Sequence, residues 1–366
     1  MTIVCEELQS QMGCSSVSWG FVLPLPLPSL WAFRSQLPRF SQARALLQND
    51  PFSRRLISLS DSHSEWMNEE QIFGLYQTDT KFIDITDGDM DMIASHASLR
   101  AASHKAYPTK ITHQEKVDPL IQAISQEGMR DFLTRFSGFN TRYFRSSSGA
   151  ESSKWLQQLV QDLADTHGRT DVKLTVDKFE HTWGQSSVIA RFEAATPDET
   201  TDAPKDILVV SAHQDSVNQF NPCAEEGGLL GSQKVVAAYM KNGIDVYANF
   251  HNDMTGYQPK GKKPVVGIST DFVNADLSKF LRLVVESYSG ISWAPTKCGY
   301  ACSDHATWNK AGVPAVFTFE APFADHSPYI HTSSDTVEHI DFAHMAEFVK
   351  AVIGFTVELS LYQKPE

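Results

Sequence analysis

The chain reads as an α/β protein, a mixed and largely parallel sheet with helices on both faces. Three observations predict this. Short apolar runs at residues 207–210, 246–250, 265–268 and 313–319 have the composition of strands buried on both faces. Segments of helical period flank and separate them, as at residues 276–288 and 341–361. Polar side chains able to bind metal gather just beyond the strand ends, where open α/β sheets place their functional groups.

In chain order, residues 1–50 form an atypical N-terminal segment. Its apolar stretch FVLPLPLPSLWAF (21–33) contains Pro24, Pro26 and Pro28, which forbid a regular helix. Glu6 and Glu7 stand where a secretory signal would be basic, so neither a clear signal peptide nor a membrane span is expected. A disordered tail is the plain expectation. Residues 51–110 are polar and rich in His, Ser and Asp, and are expected to be pro-segment-like or poorly structured. One strand-like run, 81–85, precedes the acidic turn Asp87-Gly88-Asp89.

The main domain is expected over 111–366. Val117, Leu120, Ile121 and Ile124 mark one helical face, and Met129, Phe132, Leu133 and Phe136 a second. Trp155, Leu156, Leu159, Val160 and Leu163 predict an amphipathic helix over 151–166, closed by Gly168. The period then switches to two at Val172, Leu174 and Val176, with a second such run over 186–194. The strand at 207 follows, then those at 246, 265 and 313, with the helix at 276–288 among them.

Bulk composition narrows the function classes. The 366 residues are 42% apolar and 20% charged, enough for a sizeable core and against global disorder. A net charge of −13 argues against nucleic acid, whose phosphates need a basic face. Of the five cysteines, Cys5 and Cys14 lie in the N-terminal segment and Cys223 stands alone. Cys298 and Cys302 form a C-x-x-x-C that reads as a local disulfide, a metal pair or two free thiols. No N-x-S/T sequon is present.

Four places carry the candidate chemistry: His213 with Asp215, Glu225-Glu226, Asp253, and His331 with Asp335 nearby. Zinc takes imidazole nitrogen and carboxylate oxygen, and a carboxylate two residues from a ligating His can orient its ring. Adjacent glutamates permit one to bind metal while its neighbour accepts a proton from water. Each has a bland reading: a loop histidine, a solvated glutamate pair, a turn-capping aspartate, a surface histidine. All four would have to hold together.

The stretches VVSAHQDSVN (209–218), AEEGGLLGSQ (224–233), NDMTGY (252–257), CGYACSDHATW (298–308) and YIHTSSDT (329–336) resemble the zinc-dependent leucyl-type aminopeptidases of bacteria and fungi. With a pro-segment-like FIDITD at 82–87, the resemblance spans about residues 80–360. It implies a three-layer α/β/α, phosphorylase/hydrolase-like fold with a co-catalytic pair of Zn2+ ions at strand ends. Under it His213, Glu226, Asp253 and His331 would bind zinc, and Asp215 would orient His213. Glu225 would act as general base on the water between the metals, and Tyr300 would help polarise the scissile carbonyl. Cys298–Cys302 would match a local disulfide, and Asp304 belongs to the same signature. The substrates implied are peptides with a free N-terminus, cleaved by a secreted, zymogen-like monomer that engages neither nucleic acid nor membrane.

The chain departs from the family's pattern in one place. The resemblance calls for a bridging aspartate, then a helix and a strand, between the first His and the glutamate pair. Only the nine residues 216–224 lie there, too few for that unit. The expectation is an internal deletion between 218 and 224. Three readings follow: an aminopeptidase, an impaired relative lacking the bridging aspartate, and a glutaminyl-cyclase-type zinc acyl-transfer enzyme on the same fold. Release of free amino acid, as against ammonia, separates the two enzymes.

Overall fold

A computed structural model describes residues 2–6, 54–60, 63–78, 80, 82–87, 89–100, 105–194, 207–216 and 229–363. β1 (Thr2–Glu6) is followed among the described residues by β2 (Arg55–Ser60), β3 (His63–Met67), α1 (Glu69–Gln77), β4 (Ile83–Asp84) and α2 (Asp89–Arg100). Strands β3-β2-β4 make a small antiparallel sheet. Ile57, Met67 and Ile72 fill its core, and Arg55 is ion-paired with the buried Asp84. Among residues 51–110 the described ones are thus largely folded into strands and helices. Their 3.6 and 2 periods are short, and their apolar side chains are split between two cores, so no one face stands out in the sequence.

The larger body begins with α3 (Gln114–Gln122), α4 (Gln126–Ser137) and α5 (Ser147–His167). Ser125 and Ser146 cap the last two, each accepting from a main-chain N–H three residues on. There follow β5 (Val172–Phe179), β6 (Ser187–Ala194), β7 (Ile207–Ser211), α6 (Leu230–Lys241), β8 (Val246–Asn252) and β9 (Val265–Ser269). The chain continues with α7 (Ala275–Tyr288), β10 (Ser292–Thr296), α8 (His305–Lys310), β11 (Ala315–Phe319) and α9 (Phe342–Ser360). Asn274 and Asp341 cap α7 and α9. No helix among the described residues is long and apolar enough to cross a membrane.

The main sheet has the order β10-β9-β11-β8-β7-β1-β6-β5. β7, β8 and β11 run parallel at its centre. β9 is antiparallel to β11, and β5 to β6. Alternation along the strands divides the core. Leu208, Phe250, Ile268 and Val316 pack under α7, α9 and α3 on one face. Ile207, Val209, Val246 and Ala315 pack with α6, α2 and Trp308 of α8 on the other. The three-layer mixed architecture expected from the sequence is the one observed.

β1 departs from the expectation for the N-terminal segment. It lies between β7 and β6, antiparallel to the first and parallel to the second, with Val4 opposite Val209 and Arg191. Without it β7 would present unpaired N–H and C=O groups on that side. The rest of residues 7–53, including the proline-rich stretch, lies outside the described residues, as does the junction at 217–228.

Candidate metal and catalytic site

The site sits where β7 and β8 end side by side. Ser211 is the last residue of β7, and the chain then turns out through Ala212 to His213. β8 delivers Asp253 one residue past its end, and Met254 after it takes a positive φ of 53°. His213 Nε2 and Asp253 Oδ1 stand 3.2 Å apart. On the opposite side of the ring, His213 Nδ1 is 3.1 Å from the main-chain oxygen of Asp215 and 3.4 Å from its Oδ1. That pairing puts an N–H at Nδ1 on the Asp215 side and leaves Nε2, the nitrogen through which a metal would be held, facing Asp253.

Electrostatics follow from this packing. Burial alone would raise the Asp253 carboxyl. His213 beside it outweighs that, with His251 and the Ser303 hydroxyl behind, and holds it well below the usual carboxylate range. His251 is wholly enclosed and burial keeps its ring neutral against the pull of Asp253. Its Nδ1 meets Ser211 Oγ at 2.9 Å and its Nε2 meets Ser303 Oγ at 2.7 Å, while Asn249 donates to the same Ser211 hydroxyl. A buried polar chain thus runs from β7 through β8 to the loop before α8, directly beneath His213 and Asp253.

That loop begins at the disulfide Cys298–Cys302. Gly299, at φ 83°, makes the tight reversal inside it, and its N–H donates to Asp271. Tyr300, Asp304, His331 and Asp335 line the same cleft as His213, Asp215 and Asp253. Burial raises the Asp304 carboxyl, and the Ser232 hydroxyl of α6, 2.6 Å away, opposes the rise. Burial likewise raises Asp335, with His331 opposing. His331 has a φ of 58°, so both candidate ligand loops hold a non-glycine residue in the left-handed region, a strain that clusters at functional sites. The described residues leave a cleft of about 1130 Å3, at the upper end of small-molecule pockets and roomy enough for a peptide.

The donor set can be tested against zinc. Two ligands at about 2.0–2.1 Å on a tetrahedral ion lie about 3.3 Å from each other. His213 Nε2 and Asp253 Oδ1, 3.2 Å apart, are a nitrogen and a carboxylate oxygen of the kind zinc takes, near enough for one ion to reach both. The two residues fit a shared zinc ion, and Asp215 supplies the orienting contact. Among the described residues no group of three or more His, Cys, Asp or Glu side chains converges as a metal site. Glu225 and Glu226 lie outside the described residues. His331 and Tyr300 line the cleft that holds the His213–Asp253 pair.

Several functional neighbours escape sequence reasoning. Arg142 donates through Nε to the Gln214 carbonyl and through its main-chain N–H to Ser216 Oγ, pinning the loop behind His213. His181 stacks on Trp183 at 4.3 Å in the cleft wall, where burial lowers its pKa to about 4. Nothing in the local sequence marks either residue. Ser303 had a signal, its place beside Asp304 in CGYACSDHATW.

A protein-family model for Peptidase family M28 matches residues 219–356. Leucine aminopeptidase 1 of Aspergillus niger is 34% identical over 357 residues, covering 84% of this chain and 89% of the relative. The chain belongs to peptidase family M28. Leucine aminopeptidase 1 of Emericella nidulans is 33% identical over 396 residues, covering 94% of this chain and 98% of the relative. LapB from Legionella pneumophila shares the fold, with a TM-score of 0.68, 23% identity and coverage of 87% of this chain and 98% of that one. The match to the A. niger enzyme runs over 357 positions but uses 84% of these 366 residues, about 307, so about 50 positions of it face no residue in this M28 peptidase. The same reckoning for the E. nidulans enzyme, 396 positions against 94% or about 344 residues, also leaves about 50. A helix with its strand and loops is of that size.

Proposed function

We propose that this M28 peptidase is a zinc aminopeptidase that hydrolyses the first peptide bond of peptides. The observation that carries the reading is the His213–Asp253 pair, an imidazole nitrogen and a carboxylate oxygen 3.2 Å apart that would hold zinc between them, with Asp215 on the far side of the His213 ring. Zinc held there supplies Lewis acidity to a carbonyl and to water. Glu226 would add a further carboxylate to the set, and His331 would hold a second ion. Glu225 accepts the proton of the attacking water and returns it to the leaving amine. Tyr300, on the disulfide loop, directs its hydroxyl to the oxygen on which charge develops. Asp253 and Glu226, both anionic, attract the substrate's α-ammonium and restrict cleavage to the N-terminus. The Cys298–Cys302 disulfide supports function in an oxidising compartment, and so secretion.

A second reading is favoured by one observation. The shortfall of about 50 positions is about the size of the helix and strand for which the nine residues 216–224 have no room. On that reading the bridging aspartate is gone, one zinc is held and turnover is low.

The test offers Leu-Gly-Gly and its N-acetylated form to the purified chain. Free leucine is expected from the first only. Release of leucine from neither peptide, with zinc bound, supports the impaired reading. Cleavage of the acetylated peptide refutes the aminopeptidase reading.

A further inference from the structure

Glu320 lies immediately after β11 and is 3% exposed. It is not part of the chemistry proposed above, yet a buried carboxylate needs partners. Its two oxygens have different ones. Oε2 accepts from the main-chain N–H of Tyr257 at 2.8 Å, and Oε1 accepts from the main-chain N–H of Ser327 at 2.9 Å. Tyr257 is four residues beyond Asp253, and Ser327 is four residues before His331. One side chain therefore ties together two loops whose candidate ligands, Asp253 and His331, line the same cleft.

Glu320 is itself held in place. His344 Nε2 of α9 meets its main-chain oxygen at 2.9 Å, and the preceding Thr318 donates to Asn252, next to Asp253, at 2.6 Å. The loops have few other direct ties. Tyr257 and Tyr329 rings meet edge-on at 6.5 Å.

Each oxygen takes one N–H donor, so the group works as a carboxylate. An amide would turn its own donor toward one of the two N–H groups. Burial, with Asp253 and Asp335 adding to it, raises this carboxyl to about 7 despite the two N–H donors. Holding it charged there is costly, and a purely space-filling role would not call for a charge.

We infer that Glu320 is a positioning residue that couples the Asp253 loop to the His331 loop, setting the spacing of the two sides of the metal site. The inference rests on the reading that Asp253 and His331 hold zinc. Glu320 acts through the backbone of their loops.

The experiment uses the full chain. Zinc affinity is measured by competition with a chromophoric chelator for wild type and Glu320→Gln, alongside thermal melting. The expected result is a fall in zinc affinity of tenfold or more in folded Glu320→Gln. Equal affinity in the two, within twofold, overturns the inference even if the variant melts earlier. Should Glu320→Gln not fold, Glu320→Asp keeps the charge but reaches only one donor, and the same two outcomes decide. In wild type alone, amide exchange at Tyr257 and Ser327 provides a further reading: zinc should slow both together, although neither N–H faces the metal. Slowing of one without the other overturns the coupling. Wild type that binds no zinc at all refutes the metal-site reading instead, and exchange at the two amides in a common opening event would still show the clamp.

Discussion

Removing the Asp215 side chain is expected to weaken zinc binding by about tenfold. His213 Nδ1 has two acceptors on the Asp215 side: the main-chain oxygen at 3.1 Å and the carboxylate at 3.4 Å. Asp215→Ala deletes the farther one and leaves the nearer, so the Nδ1–H tautomer survives. What is lost is the negative charge that makes the imidazole a better donor and steadies its plane. Partners of this kind are worth about 10–100-fold in affinity or activity. With the main-chain contact intact, the lower end applies, about 1.4 kcal/mol. His213→Ala removes the ligand itself and is expected to abolish binding at the site. The assay is chelator competition on folded protein, with circular dichroism confirming the fold. An Asp215→Ala affinity within twofold of wild type would refute the assignment of Asp215. A fall beyond about a hundredfold would mean that Asp215 binds metal directly, contrary to the geometry argued above.

Three further outcomes are expected. Reducing Cys298–Cys302, which closes a loop of sequence separation 4, should cost about 2 kcal/mol by chain entropy and depress leucine-anilide hydrolysis through the displaced Tyr300 loop; unchanged hydrolysis under dithiothreitol would count against that loop's role. Val4→Pro removes the N–H of the middle residue of β1, between β7 and β6, and should lower the melting temperature by several degrees; an unaltered melt would show that β1 does not hold the sheet together. Gly354→Ala sets a Cβ 2.3 Å from Tyr288 Cδ2 where α9 crosses α7, an overpacking worth about 1–3 kcal/mol and visible as a lower melting temperature without change in zinc affinity.

Much of this molecule is legible in its sequence because its central strands are continuous apolar runs and its outer helices are amphipathic. The predicted helix at 276–288 is observed as Ala275–Tyr288, and the one at 341–361 as Phe342–Ser360. The failures have physical causes. The helix Leu230–Lys241 buries Leu230, Ser232, Gln233, Val235, Val236, Ala237, Tyr239 and Met240, so it shows no polar face from which a 3.6 period could be read. Strand Ser292–Thr296 contains Pro295, which argues against a central strand, and it is tolerated because this strand is at the sheet's edge. The strand Thr2–Glu6 is too short to stand out and gains its partners from residues about 190 and 210, a long-range pairing that no local pattern announces. In the candidate site, motif and position mark His213 and Asp253 in the sequence. Arg142, His181 and Glu320 act through folding contacts and carry no local signature.

The zinc content of the folded chain, measured by elemental analysis after gel filtration and read beside leucine-anilide turnover, tests the central claim most directly. The account predicts zinc retained by the folded chain, and lost together with turnover in His213→Ala. Chains that retain no zinc, or anilide hydrolysis that persists in His213→Ala, would contradict the site. Two firmly held zincs with rapid turnover would contradict the internal deletion as a functional loss, and would require a carboxylate other than the family's aspartate to bridge the metals.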